Sequence, residues 1–190
     1  MTTGEPDPAV ARETRRDRES FAAAPGGVEP VPATSDDVDG IHALRRSLED
    51  WMAGRVEQWP RGSLPRERIA EQVAAGEWWV VRDALGLAAT VRLVDTDPFF
   101  WGDDPAVALY VHGLMVDRRL TGHGVGRALL AWAVGRARAA GVDLVRLDCR
   151  VSNPALRAYY EARGFAVVGR ADFTGWSNWL LERAVPAADG

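Results

Sequence analysis

Three alternating glycines separate an apolar strand-like run, residues 106–116, from an apolar helix-like run, residues 125–140, in the segment Thr121-Gly122-His123-Gly124-Val125-Gly126-Arg127. Glycine has no Cβ, so it lets the backbone turn sharply or approach another group closely. A helix begins with N–H groups that have no partner inside the helix, and such an N-terminus favours anions. The segment therefore predicts a cradle for a pyrophosphate.

Two other phosphate-binding patterns fit this segment less well. A dinucleotide-binding unit needs Gly-x-Gly-x-x-Gly after the first strand of a parallel unit, with an acid about 20 residues later. Here the spacing is Gly-x-Gly-x-Gly, the segment lies deep in the chain, and Asp143 stands at the start of a strand rather than at its end. A Walker-type loop is excluded because no Gly-Lys-Ser/Thr follows.

Composition and charge limit the class of protein. The 190 residues are 47% hydrophobic and 26% charged, which is typical of a globular protein. We predict a tail over residues 1–27, disordered or loosely docked, followed by a single domain over residues 28–190. The net charge of −4 argues against a nucleic-acid partner. No apolar run reaches the ~18 residues of a membrane span, and Cys149 is the single cysteine, so we predict a cytoplasmic protein without a membrane partner.

The apolar periodicity predicts the order strand, two helices, three strands, helix, strand, helix and two strands. This order indicates an α/β fold with a mixed, mostly antiparallel sheet of six to seven strands and helices on both faces. The predicted strands span residues 28–33, 77–82, 85–95, 106–116, 142–151, 165–170 and 176–183. The predicted helices span residues 38–53, 65–76, 125–140 and 154–164, and residues 95–105 are predicted to form a loop.

A second motif follows the glycine segment after one predicted strand, and it reads Asn153-x6-Tyr160-Glu161-x2-Gly164-Phe165. Together the two motifs resemble the cofactor turn and the asparagine, tyrosine and Gly-Phe module of the GNAT superfamily of acyl-CoA-dependent N-acyltransferases. The resemblance covers about residues 32–183. One position departs from the family pattern, since Thr121 stands where arginine or glutamine is usual. Neighbouring arginines are candidates to supply the missing charge: Arg118, Arg119 and Arg127.

The resemblance implies acetyl-CoA as the cofactor and names the residues that hold it. The strand before the turn is expected to carry a bulge and to pair with the pantetheine arm, with a backbone N–H of Leu114 or Met115 facing the thioester carbonyl. Asn153 is expected either to hydrogen-bond this arm or to act only as a helix cap. The predicted cofactor-binding residues are Leu114, Met115, Val116, Thr121, Gly122, His123, Gly124, Val125, Gly126, Arg127, Asn153 and Tyr160.

Transfer to an amine needs a proton acceptor, because an ammonium group has a pKa of ~10, and a proton donor for the departing thiolate. The resemblance implies Tyr160 as the general acid; the alternative is a buried aromatic with a satisfied hydroxyl. Tyr159 is expected to pack. His112 is the candidate general base, because it is expected to share a strand face with Leu114 and because an imidazole pKa of about 6.5 suits the task. The alternative is a structural histidine. We predict no metal site.

The resemblance leaves the acceptor open. We predict a primary amine of a small molecule, such as a metabolite, amino acid derivative, polyamine or antibiotic, and a monomer or homodimer. The alternatives are a peptide or protein N-acetyltransferase and a non-catalytic CoA-binding sensor. Aromatic side chains near carboxylates suit a cationic amine. The candidate acceptor residues are Trp51, Trp59, Trp101, Tyr110, Asp148 and Trp176.

Overall fold

The computed structural model describes residues 29–55 and 62–186. Seven strands in this part of the chain form one sheet, β1 (Val31–Pro32), β2 (Trp78–Asp83), β3 (Gly86–Val94), β4 (Leu109–Val116), β5 (Leu144–Arg150), β6 (Ala166–Phe173) and β7 (Trp176–Ala184). Their order is β1-β2-β3-β4-β5-β7-β6, and only the β4–β5 pair is parallel among these strands. The predicted mixed, mostly antiparallel sheet is therefore confirmed.

Helices cover both faces of this sheet: α1 (Val38–Met52), α2 (Arg66–Ala74), α3 (Pro98–Trp101), α4 (Val125–Ala139) and α5 (Pro154–Glu161). On one face, α1 and α2 bury Ile41 and Ile69 against Trp78 of β2. On the other face, α4 buries Leu129 against a second cluster that includes Val91. Because successive side chains of a strand point to opposite faces of the sheet, each strand contributes residues to both cores.

Some predicted boundaries differ from the structure. The predicted loop 95–105 contains α3, whose aromatic residues pack on the β6–β7 hairpin; this tertiary contact orders a segment that carries turn signals in sequence. β1 is shorter than predicted and lies at the sheet edge, where Pro32 costs no ladder hydrogen bond. The predicted tail 1–27, Trp59 and the last four residues lie outside the described residues.

β4 carries a β-bulge at Gly113. Thr90 pairs with Met115 whereas Arg92 pairs with His112, so one residue of β3 faces two of β4. Gly113 has a φ of +53°, and a Cβ on it would lie 2.6 Å from Cζ3 of Trp78, so this position requires glycine.

The bulge changes which side chains share a face. Val111 packs in the α4 core before the bulge, and Leu114 and Val116 pack against the same core after it. His112 and Leu114 therefore lie on opposite faces, and the prediction that they share one is wrong. The reason is the extra residue, which reverses the strand's alternation.

Candidate active site

A cleft opens where β4 and β5 separate. The two strands pair only at Leu109–Val145 and Tyr110–Arg146, although β4 continues to Val116 and β5 to Arg150. The resulting space has a volume of about 1130 Å³. It is bounded by the ends of these strands, the glycine turn, α1, α3 and α5. All twelve predicted cofactor-binding residues line it.

The glycine turn lies at the start of α4, as predicted. Gly122 and Gly124 have φ values of +82° and +78°, and α4 begins at Val125. The first N–H groups of α4 have no acceptor within the helix, so this end of the cleft favours an anion. The guanidinium of Arg127 adds positive charge here, because its Nη2 lies 3.7 Å from the position that a Cβ of Gly124 would take.

The structure separates the three arginines that could compensate for Thr121. Arg118 lies over the Trp51 ring, 3.8 Å from its centroid, and lines the cleft, as does Arg127. Arg119 instead pairs with Asp83 and Asp117, at 2.5 and 3.2 Å, and is not a cleft residue. Arg163 of the α5–β6 turn also lines the cleft, which the sequence pattern did not indicate.

Two adjacent tyrosines of α5 reach the cleft. Tyr160 is 7% exposed, and burial raises the pKa of its hydroxyl above the ordinary value, so the group stays protonated and can donate. Tyr159 packs against the α4 core as expected. Its hydroxyl also lies 2.7 Å from where a Cβ of Gly126 would be, so only glycine lets Tyr159 reach the turn.

Asn153 caps a helix next to the cleft, and Cys149 lies in the core. The side-chain oxygen of Asn153 accepts a hydrogen bond from the N–H of Leu156 at 3.1 Å and so caps α5. Asn153 also lines the cleft. Cys149 is fully buried, and burial raises the pKa of its thiol to about 12, so it is not a nucleophile at neutral pH.

His112 lies between two carboxylates on the sheet face covered by α1 and α3. Its Nε2 is 3.2 Å from Oδ2 of Asp97, and its Nδ1 is 3.7 Å from Oδ1 of Asp148. Burial raises the pKa of Asp148 to about 6; the charge of His112 and a hydrogen bond donated by the Asn178 amide oppose this rise. The arrangement can therefore take up and release protons near neutral pH.

The same three side chains are the group that could hold a metal ion within residues 29–55 and 62–186, because their ligand atoms lie within 4.8 Å of one another. The two carboxylates approach different nitrogens of the imidazole, however. In this geometry the two carboxylates flank the ring by ion-pair contacts on opposite nitrogens and do not converge with it on one point. We therefore treat the group as an acid–base site.

The predicted acceptor residues fall into two places. Trp51, Asp148 and Trp176 line the cleft. Trp101 and Tyr110 do not; they surround the guanidinium of Arg146, whose Cζ lies 4.2 Å from the Trp101 ring centroid and whose Nη1 donates to the Tyr110 hydroxyl at 3.2 Å. Trp59 lies outside the described residues. Further cleft residues that were not predicted are Arg92, Phe99, Phe100, Arg150 and Asn178.

Residues 42–165 match the model of the acetyltransferase (GNAT) family. The uncharacterized N-acetyltransferase YesJ of Bacillus subtilis is 30% identical over 169 residues, 85% of this chain and 92% of YesJ. The aminoglycoside N(6')-acetyltransferase type 1 of Stenotrophomonas maltophilia is 28% identical over 118 residues, 60% of this chain and 77% of that protein. The crystal structure of PaiA N-acetyltransferase from Thermoplasma acidophilum, in complex with coenzyme A, has a TM-score of 0.64 at 18% identity, over 83% of this chain and 99% of that one.

The likeness to this acetyltransferase structure shows that the two proteins share a fold. The family match covers more than half of the chain, and the protein belongs to the GNAT acetyltransferase family. It is an acyltransferase, with acetyl-CoA as its cosubstrate. None of the helices in residues 29–55 and 62–186 has the length and hydropathy of a membrane span.

Proposed function

We propose that the protein transfers the acetyl group of acetyl-CoA directly to a primary amine of a small molecule. The observation that carries this proposal is the acid–base arrangement of one cleft: the His112–Asp148 pair lies on one sheet face, and the protonated Tyr160 lies on the other. An acyl transfer to an amine needs a proton acceptor for the ammonium group and a proton donor for the departing thiolate.

The cleft fits the cofactor. Its turn presents N–H groups and Arg127 to a pyrophosphate, and glycine at 126 keeps the turn open next to Tyr159. The bulge at Gly113 leaves backbone groups outside the sheet ladder, which supports a backbone N–H of Leu114 or Met115 as the donor to the thioester carbonyl. Bound acetyl-CoA would supply the activated acyl group.

Asp148 and His112 would bind the amine and remove its proton. Above a pH of about 6, the Asp148 carboxylate is ionised and attracts the ammonium form of an acceptor. His112, 3.7 Å from it, would accept the proton before the amine attacks. Tyr160 would give its hydroxyl proton to the departing thiolate, which it can do because burial keeps it protonated.

A small acceptor is favoured over a peptide by the shape of the acceptor side. The aromatic residues of α3 and the β6–β7 hairpin stack together there: the rings of Phe99 and Phe173 lie 4.9 Å apart, and those of Phe173 and Trp176 lie 4.0 Å apart. One relative is named as acting on aminoglycosides, which are small amines.

Incubation of the wild-type protein with acetyl-CoA and a panel of small amines, with thiol release measured against time, tests this function. We expect release that depends on the amine, together with an N-acetylated product identified by mass spectrometry. Binding of acetyl-CoA without release for any amine would indicate the sensor alternative. Acetylation of peptide N-termini or lysines in preference to small amines would indicate the protein-acetylating alternative.

A further inference from the structure

The cleft contains two groups of arginines, one near the glycine turn and one on the sheet face of His112 and Asp148. One carboxylate, that of Asp148, lines it, against six arginines: Arg45, Arg92, Arg118, Arg127, Arg150 and Arg163. Three of these arginines lie near the glycine segment, and their positive charge suits the phosphates of the cofactor: Arg118, Arg127 and Arg163. Arg92 and Arg150 belong instead to the sheet face of His112 and Asp148, as the strand register shows.

Arg92 is held in a position to bind an anion beside the acid–base pair. It is the cross-strand partner of His112, so the two side chains stand next to each other on one face. Its Nε donates to Oε2 of Glu77 at 2.7 Å, which fixes the plane of the guanidinium. Its two terminal amino groups have no hydrogen-bond partner within residues 29–55 and 62–186, and the side chain is 20% exposed along the cleft.

The rest of the acceptor side is apolar and aromatic. The ring of Phe100 lies 6.3 Å from the imidazole of His112, and Phe99, Phe100 and Trp176 together form one wall of the cleft. The guanidinium of Arg150 lies 3.9 Å from the centroid of the Trp176 ring. A second ammonium group on the acceptor would therefore meet the guanidinium groups of Arg92 and Arg150, with Asp148 already engaged by the first.

We propose that the acceptor is an α-amino acid with an apolar side chain, or a close analogue that carries one amine and one carboxylate. This inference rests on the proposed function. The amine lies against Asp148 and His112, the carboxylate binds the terminal amino groups of Arg92, and the apolar substituent packs on Phe100 and Trp176. Arginine suits this role because its planar donors match a carboxylate in pairs. The same charges disfavour a polycationic acceptor.

The test compares each amino acid with the amine that lacks its carboxylate, as in phenylalanine with phenethylamine and leucine with isoamylamine, and adds spermidine as a polycation. For the wild type we expect kcat/KM to be at least tenfold higher for the amino acid of each pair. For Arg92→Gln we expect kcat/KM to fall roughly 10- to 100-fold for the amino acids, the loss of a charged hydrogen-bonded pair, and to change less than threefold for the amines.

Glu77→Gln is the matched control, because it removes the negative charge beside Arg92 but keeps a side-chain oxygen that can accept from Nε, so the guanidinium stays in place and the preference for the carboxylate should persist. If Arg92→Gln does not bind CoA as the wild type does, Arg92→Lys replaces it; it keeps the charge and should lose preference only in part. Equal use of both members of each pair, or preference for spermidine, overturns the inference while leaving the proposed function intact. Absence of thiol release with every compound overturns the proposed function itself.

Discussion

Asp148→Asn is expected to make the protein more stable at pH 8 and at the same time to reduce its activity about 100-fold. Burial raises the pKa of Asp148 from its ordinary value of 3.8 to about 6. Well below pH 3.8 the group is protonated in both the folded and the unfolded protein, and it makes no difference to stability. Above that pH the unfolded state ionises more readily, so the folded state loses stability until the pH passes about 6.

The asparagine removes this cost. The gain is expected to be about 1–3 kcal/mol at pH 8 and to fall below about 1 kcal/mol at pH 4, near the ordinary pKa of the carboxyl. Thermal and urea unfolding at both pH values measure it. Asp143→Asn, at an exposed site just before β5, is the matched control and should change stability at neither pH. A fall in stability at pH 8 would contradict the account of Asp148 as a buried, destabilised carboxylate.

The loss of activity comes from the same change, because the charge that destabilises the folded protein is the one proposed to attract the substrate. Without the carboxylate of Asp148 in the cleft, an ammonium acceptor is no longer attracted, and His112 keeps a carboxylate only at its other nitrogen, that of Asp97. We therefore expect kcat/KM of the wild type to rise between pH 5 and 7, as Asp148 ionises, and this rise to be missing in Asp148→Asn. If the variant keeps the wild-type rise of kcat/KM with pH, the group that ionises between pH 5 and 7 is not Asp148.

Gly113→Ala is expected to destabilise the protein by about 2–4 kcal/mol and to impair binding of CoA. The new methyl group would overlap the ring of Trp78, which is 1% exposed and cannot move without disturbing the core under α1 and α2. The φ of +53° adds backbone strain. To relieve the overlap with Trp78 and the backbone strain, the bulge would have to straighten, and Leu114 and Met115 would then turn away from the cleft.

Urea unfolding and titration with CoA measure the two effects. Gly169→Ala is the matched control within a strand, because its φ is not in the left-handed region and its Cβ would meet Leu180 Cδ1 at an ordinary 3.5 Å. We expect this control to change stability by less than 1 kcal/mol. Equal effects of the two substitutions would show that the bulge does not require glycine at position 113.

The parts of the site that come from local sequence were predictable. The glycine turn and the Asn153 cap are set by residues that neighbour each other in the chain, so turn chemistry and apolar periodicity indicate them directly. The mixed, mostly antiparallel sheet was predictable as well, because the order of strands and helices along the chain indicates it.

The parts that depend on register and tertiary packing were not predictable. The face of His112 depends on one extra residue in β4, which no single-strand pattern reveals. The contact of Asp97 with His112 and the position of Phe100 depend on how α3 folds back over the sheet. Trp101 and Tyr110 were predicted to bind the amine because aromatic side chains suit a cation. In the structure they surround the guanidinium of Arg146, which is a cation of the protein itself.

The most direct test of the central claim is thiol release from acetyl-CoA by Tyr160→Phe in the presence of an amine that the wild type accepts. This variant removes one hydroxyl from a buried ring and leaves the glycine turn, the proposed cofactor site, unchanged. We predict that CoA binds within threefold of the wild-type affinity and that kcat falls about 100-fold, as expected for loss of a general acid. Unchanged kcat with intact CoA binding would contradict acetyl transfer through Tyr160 in this cleft.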